Sequence, residues 1–181
     1  MIEIPLQQLI AGCRRGDGGA QRLLYERYNA RLFAVCLRYA RDRSEAQDIL
    51  QDAFLTIYRD LTQFQGHGAF EGWLHRVTVR AALQHLRRKN PLRFAEDFND
   101  LPPEIHNVHP DMELNGEAIL QMVQQLPAGY RTVFNLHCVE AWSYPEIAAE
   151  LGISESSVRS QYTRACKQLR GLVDKLLTGV F

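Results

Sequence analysis

Two periodic segments joined by a tight turn at Gly152, residues 143–151 and 154–167, constrain this chain more than anything else in it. Ser143 followed three positions later by Glu146 is a capping box, in which side chain and backbone exchange hydrogen bonds at a helix start. Pro145 falls in the first turn, where its missing N–H costs nothing. Ile147, Ala148 and Leu151 form an apolar stripe, and Gly152 can take the left-handed conformation that ends a helix. Ser154 then caps a second helix whose Val158, Tyr162, Ala165 and Leu169 face inward. That leaves Ser157, Arg159, Ser160, Gln161, Arg164 and Lys167 for the outside. Two helices joined so tightly read as a helix-turn-helix, which lays its second helix in the DNA major groove. Arg and Gln are the side chains that bond bidentately to guanine and adenine edges. An ordinary helical hairpin with a solvated face is the simpler alternative.

Charge qualifies that reading. Lys+Arg and Asp+Glu both total 21, so the 181-residue chain is formally neutral. The charges are nevertheless segregated. Residues 1–90 carry 14 basic and 9 acidic side chains, residues 91–117 carry 1 and 7, and residues 118–181 carry 6 and 5. A neutral total is compatible with a local basic footprint, because surface fields are screened over about 10 Å at moderate salt. No apolar run approaches the roughly 20 residues of a membrane span, and the start of the sequence does not read as a signal peptide. A cytoplasmic protein without membrane insertion is expected.

The remaining periodicity is helical throughout. Pro5 opens a short helix that Gly16 ends. Asp17 caps a long one running to about residue 41, with Leu23, Leu24, Tyr28, Leu32, Phe33, Cys36 and Leu37 on one face. Ser44 and Gln47 suggest a further capping box, ahead of a helix that buries Ala46, Ile49, Leu50, Ala53, Phe54, Ile57, Tyr58 and Leu61. Residues 65–69 read as a loop, and residues 70–89 as a helix that Pro91 stops. Periodicity then disappears through a stretch rich in acids and prolines, a 22-residue tether at 91–112 that spans at most about 70–80 Å. Helices over about 113–125 and 128–140 precede the helix-turn-helix. The expected fold is all-α, with two small helical domains at 1–90 and 113–181 joined by a flexible acidic linker.

Two surfaces of the first domain stand out. Asp48, Gln51 and Asp52 share one helix face with Leu55, and an acidic patch beside an exposed leucine suits a protein partner. A solvated helix face is the alternative. On the 70–89 helix, Arg76, Arg80, Arg87, Arg88 and Lys89 have no acidic relief after Glu71, and Phe64, Phe70, Trp73, His75 and His85 supply rings nearby. Cations that follow phosphates and rings that stack unpaired bases suit single-stranded nucleic acid. A core role for Trp73 is the competing reading. Cys13, Cys36, Cys138 and Cys166 lie too far apart in sequence for a paired spacing, and Cys36 and Cys166 fall on apolar positions, which predicts buried, reduced thiols. His106, His109 and His137 with Cys138 lack a second ligand pair, so no metal or other cofactor is expected.

In this order the segments resemble a bacterial RNA polymerase sigma factor of the extracytoplasmic-function (ECF) group. Residues 25–28, 48–55, 70–74 and 86–89 resemble sigma domain 2. Residues 126–134, 143–152 and 158–165 resemble sigma domain 4. The resemblance implies that Asp48, Gln51, Asp52 and Leu55 dock on the clamp coiled coil of the polymerase core, with the second domain meeting the flap. It implies that the 62–72 loop and the helix through Lys89, including Gln84, capture the non-template strand of the −10 promoter element. It implies that Ser157, Arg159, Ser160, Gln161, Arg164 and Lys167 read the −35 element. The acidic linker would thread toward the RNA path, and an anti-sigma factor would be a further partner. Family members often carry Asn and then Asp where this chain has Arg80 and Gln84, and a basic residue where it has Gln161. A stand-alone helix-turn-helix regulator is the alternative, but it leaves the 76–89 strip and the 48–52 face unexplained. A helical hydrolase would need a nucleophile–base pair that the sequence lacks.

Overall fold

Local sequence signals decide where each helix begins. The computed structural model describes residues 4–64, 69–89 and 115–178, and every regular element among them is helical. The chain divides into two compact units, Met1–His85 and Leu86–Phe181. The expected linker, residues 91–112, lies outside the described residues.

In the first unit, α1 (Leu6–Arg14) follows Pro5, and Gly16 beyond it takes φ 76°. Asp17 caps α2 (Gly18–Tyr39), its side chain accepting from the N–H groups of Gly19 and Ala20. The third helix, α3 (Arg43–Asp60), starts earlier than Ser44 suggests. Asp42 is its cap: Oδ1 accepts from the Glu45 N–H at 2.8 Å, while Glu45 Oε2 accepts from the Arg41 N–H at 2.8 Å. A carboxylate beats a hydroxyl here because it meets the positive end of the helix with full charge. The bond from the Glu45 N–H holds the Asp42 carboxyl below its ordinary value. A 3₁₀ turn, Leu61–Gln63, leads on, and Arg14 donates from Nε to the Leu61 carbonyl at 3.2 Å and from its terminal nitrogen to the Phe64 carbonyl. Helix α4 (Phe70–Lys89) follows, and the unit includes it as far as His85. Leu24, Tyr28, Leu32 and Cys36 of α2 pack inward with Ile49, Leu50, Phe54 and Ile57 of α3 and Leu74 and Leu83 of α4. Leu23, expected on the buried face, is instead exposed.

The second unit opens with α5 (Gly116–Gln125), capped by Asn115, and continues in α6 (Ala128–Phe134) after Pro127. The helix does not run evenly to residue 140. It widens into a π turn, Asn135–Val139. Ala141 closes that turn in the left-handed region at φ 58°, letting the Trp142 N–H reach the Leu136 carbonyl at 2.9 Å. Helix α7 (Tyr144–Leu151) carries the full capping box: the Glu146 N–H donates to Ser143 Oγ, and the Ser143 N–H and hydroxyl donate to Glu146 Oε2. Those bonds hold the Glu146 carboxyl below its ordinary value. Gly152, at φ 69°, ends the helix, and Ser154 accepts from the Ser157 N–H at 3.1 Å to start α8 (Glu155–Thr178). Val158, Ala165 and Leu172 are buried along α8; Tyr162 and Leu169, expected to face inward, are only half-buried.

Two left-handed residues flank α7, one with a Cβ and one without. An L side chain in that region costs about 1–2 kcal/mol, and a Cβ built on Gly152 meets nothing within 4 Å. Gly152→Ala therefore lowers the stability of this unit by about 1 kcal/mol, while Ala141→Gly raises it by up to about 1 kcal/mol. Urea unfolding followed at Trp142, in a Trp73→Phe background that leaves one tryptophan, checks both signs.

Candidate nucleic-acid interface

Helix α8 presents a narrower polar face than its composition suggests. Arg159 and Lys167 are exposed, while Ser157, Ser160 and Arg164 are half-buried. Gln161 is only 5% exposed, so its expected outward placement is corrected. Val158, Gln161 and Ala165 stand at i, i+3 and i+7, the spacing that keeps one stripe of a helix against its neighbours. Gln161 Nε2 donates to Ser157 Oγ at 3.3 Å, and its buried Oε1 has no hydrogen-bond partner. Arg164 donates to the Tyr130 hydroxyl at 3.3 Å. The Arg159 guanidinium lies 5.3 Å from the centre of the Tyr144 ring. That cation–π contact across the tight turn holds the arginine at the start of α8, where a base reader belongs.

Along α4, Arg76, Arg80, Gln84 and Arg88 are exposed and recur every four residues, which makes one continuous stripe. Arg87, Arg88 and Lys89 close its last turn, where cations also favour the negative end of the helix dipole. The opposite side carries buried Leu74, Thr78, Ala82 and Leu83. At the head of the stripe Phe64, Phe70 and Trp73 form a ring cluster with centroids 5.1–5.7 Å apart. Phe64 and Phe70 are buried and Trp73 is half-buried, so the cluster is part of the core with the tryptophan at its rim.

The α3 face is as the spacing predicts. Asp48 and Gln51 are exposed, Asp52 is half-buried, and Leu55 is 61% exposed. Sequence reasoning missed what orients it: His85 Nδ1 lies 3.1 Å from Asp52 Oδ2, joining α4 to the acidic face of α3. It missed the Tyr144 platform too, because the tyrosine reads only as a first-turn residue of α7. The thiols divide: Cys13 and Cys36 are buried, Cys166 is intermediate, and Cys138 is exposed. Burial pushes the Cys36 thiol up to about 12. Among the described residues no group of three His, Cys, Asp or Glu side chains is placed to hold a metal ion, and no helix is long and apolar enough to cross a membrane.

Two helical units, one bearing a helix-turn-helix and the other a cationic stripe beside an acidic, leucine-tipped face, define a protein of the DNA-binding transcription class. Comparison with known families resolves it further. The Sigma-70 region 2 family matches residues 24–91, and the Sigma-70, region 4 family matches residues 116–169. The chain is 33% identical to the RNA polymerase sigma-H factor of Pseudomonas aeruginosa, over 94% of this chain and 93% of that protein. It is 31% identical to the ECF RNA polymerase sigma-E factor of Escherichia coli K12, over 94% and 95% of the two chains. The solved sigma factor RpoE from Bartonella quintana, crystallised with the anti-sigma factor NepR, shares the fold at a TM-score of 0.51 and 18% identity, covering 84% of this chain and 96% of that one. The chain belongs to the ECF family of RNA polymerase sigma factors. It recognises promoters on behalf of RNA polymerase and is not an enzyme.

The burial of Gln161 has a stability consequence. Removing an unpaired buried carbonyl together with its weakly bonded amide, at nearly constant shape, is close to neutral or stabilising. Gln161→Met changes the unfolding free energy of the C-terminal unit by less than about 1 kcal/mol, in the stabilising direction. The same Trp142-monitored urea titration measures it, and a clear loss of stability would show that the amide does more than fill space.

Proposed function

We propose that the two exposed stripes and the α3 face divide the work of promoter recognition between them. Residues 1–90 act as one functional domain and residues 113–181 as another, with residues 91–112 as the acidic tether toward the RNA path. Asp48, Gln51, Asp52 and Leu55 dock on the clamp coiled coil of the polymerase core, where the carboxylates steer approach and the leucine fills an apolar contact. The C-terminal unit meets the flap. Arg76, Arg80, Gln84, Arg87, Arg88 and Lys89 track the non-template strand of the −10 element, with Trp73 at the rim of its ring cluster available to an unstacked base and Phe64 and Phe70 bracing it. Arg159 reads a base edge of the −35 element, with Ser157, Ser160, Arg164 and Lys167 as further contacts, most of them to phosphate. Gln161 acts there by packing.

The observation that carries this reading is the order of region 2 and region 4 along one chain, each with its polar stripe exposed on a helix whose other side is buried. An anti-sigma factor that covers these surfaces is a further partner, supported by the complex in which the Bartonella quintana relative was solved. Action in the cytoplasm with the polymerase follows from the same assignment.

Arg159→Ala costs about 1–3 kcal/mol of holoenzyme affinity for DNA bearing the −35 element if the side chain reads a base edge. Fluorescence anisotropy on promoter and scrambled duplexes measures it, and an equal loss on both would place Arg159 on phosphate alone. Leu55→Ala weakens capture of the polymerase core by more than about 1 kcal/mol and leaves the melting temperature of the free protein unchanged. Unaltered core affinity would remove α3 from the docking surface.

A further inference from the structure

The π turn at the end of α6 brings a thiol to a place that a regular helix does not. A π turn inserts one extra residue and rotates the residues beyond it, and such turns cluster at functional sites. Here it aims exposed Cys138 at α8, with Sγ 3.3 Å from the Tyr162 hydroxyl. Cys166 stands one turn beyond Tyr162 on the same helix, half-buried and close enough to the phenol to act on it electrostatically. The Tyr162 hydroxyl thus holds Cys138 beside the turn of α8 that carries Cys166. The two thiols, the hydrogen-bonded Cys138 foremost, push the Tyr162 phenol above its ordinary value. They lie on either side of one tyrosine, one hydrogen-bonded to its hydroxyl and the other a helical turn from it. The other cysteines, Cys13 and Cys36, are buried in the other unit, and burial raises both thiols, Cys36 to about 12.

Tyr162 also belongs to the structure that supports the DNA reader. Its ring centre is 4.8 Å from that of His137 and 6.0 Å from that of Tyr144, and Tyr144 carries the Arg159 guanidinium. A change at the sulfur pair therefore reaches Arg159 through two aromatic contacts.

We propose that Cys138 and Cys166 form a peroxide-oxidisable pair, a modification site in the DNA-reading unit at which Cys138 is oxidised and Cys166 resolves it to an intramolecular disulfide. The Cys138 thiolate attacks one oxygen of a hydroperoxide. The O–O bond breaks, the alcohol (water, for hydrogen peroxide) leaves after taking up a proton, and Cys138 becomes a sulfenic acid. The Cys166 thiolate then attacks that sulfur, the S–O bond breaks, and hydroxide departs as water once protonated. Two thiols lose two electrons and two protons, and the peroxide gains them. The new bond draws Cys138 away from the Tyr162 hydroxyl, which loses its sulfur partner and shifts against Tyr144. The effect on DNA reading rests on the role proposed for Arg159; the oxidation itself does not.

The full-length chain, treated with equimolar hydrogen peroxide, alkylated and digested with trypsin without reduction, gives the direct test. Cys138 and Cys166 fall in different tryptic peptides, since Arg159 and Arg164 lie between them. A cross-linked pair two hydrogens lighter than its parts is expected, reversed by dithiothreitol. It is absent from Cys138→Ser and Cys166→Ser and retained in a Cys13→Ser/Cys36→Ser double variant. Both thiols recovered fully alkylated, or cross-links that join separate chains, would overturn the proposal. The oxidised chain assembled with core should also bind −35 DNA at least about fivefold more weakly, the lower end of one lost base contact, while Cys166→Ser is indifferent to peroxide. A cross-link that leaves promoter affinity unchanged overturns the coupling to Arg159; if reduced Arg159→Ala keeps full affinity as well, the fault lies in the role given to Arg159.

Discussion

Val158, Ala165 and Leu172 recur every seven residues along α8, and their burial against α5, α6 and α7 is what the C-terminal unit depends on. The helix is 24 residues long, or about 36 Å at 1.5 Å per residue. Its C-terminal half packs into the cluster of Met122 and Leu172, with Leu169, Val173 and Leu176 at the edge. Its middle packs through Ala165 against Leu126 and Tyr130. Its N-terminal half buries Val158, so its rotation is fixed as well. Arg159 points where it does because Val158 beside it cannot turn away from the core. A single rigid rod holds Arg159 on one side and the anchor on the other, so the base reading proposed for Arg159 would draw on hydrophobic burial several turns away.

The first unit uses the same device with two rods. Helix α3 buries Ile49, Ala53 and Ile57 and exposes Asp48, Gln51 and Leu55. Helix α4 buries Leu74, Ala82 and Leu83 and exposes Arg76, Arg80 and Gln84. The Asp52–His85 contact joins the acidic face of one to the body of the other, near the end of its cationic stripe. Opposite charges are thereby kept on separate faces of one small unit, and a chain with no net charge offers a strong local field to two different partners.

Features written in adjacent residues were legible in the sequence alone. The Ser143–Glu146 box, the left-handed Gly152 and the Ile147–Ala148–Leu151 stripe depend only on neighbours within a turn, and each is present in the structure. The Asp42 cap was legible in the same way, since Glu45 follows it by three, but Ser44 drew attention by residue type. Gln161 was misplaced for the opposite reason. Its polarity argued for water, while its position between Val158 and Ala165 placed it in the seam, and position prevailed. The π turn left no periodic signature, because one extra residue in a short helix is invisible without its packing. Tyr144 beneath Arg159 and His85 against Asp52 are contacts between residues 15 and 33 positions apart, and no local pattern encodes them.

A protein built this way acts through the polymerase and not alone. Run-off transcription with purified core, the full-length chain and a pool of DNA with randomised upstream sequence tests this most directly. Sequencing of the 5′ ends should show initiation at a fixed distance downstream of two short motifs, dependent on added chain and absent with core alone. Start sites identical with and without the chain, or selection of the same motifs by the chain in the absence of core, would contradict it.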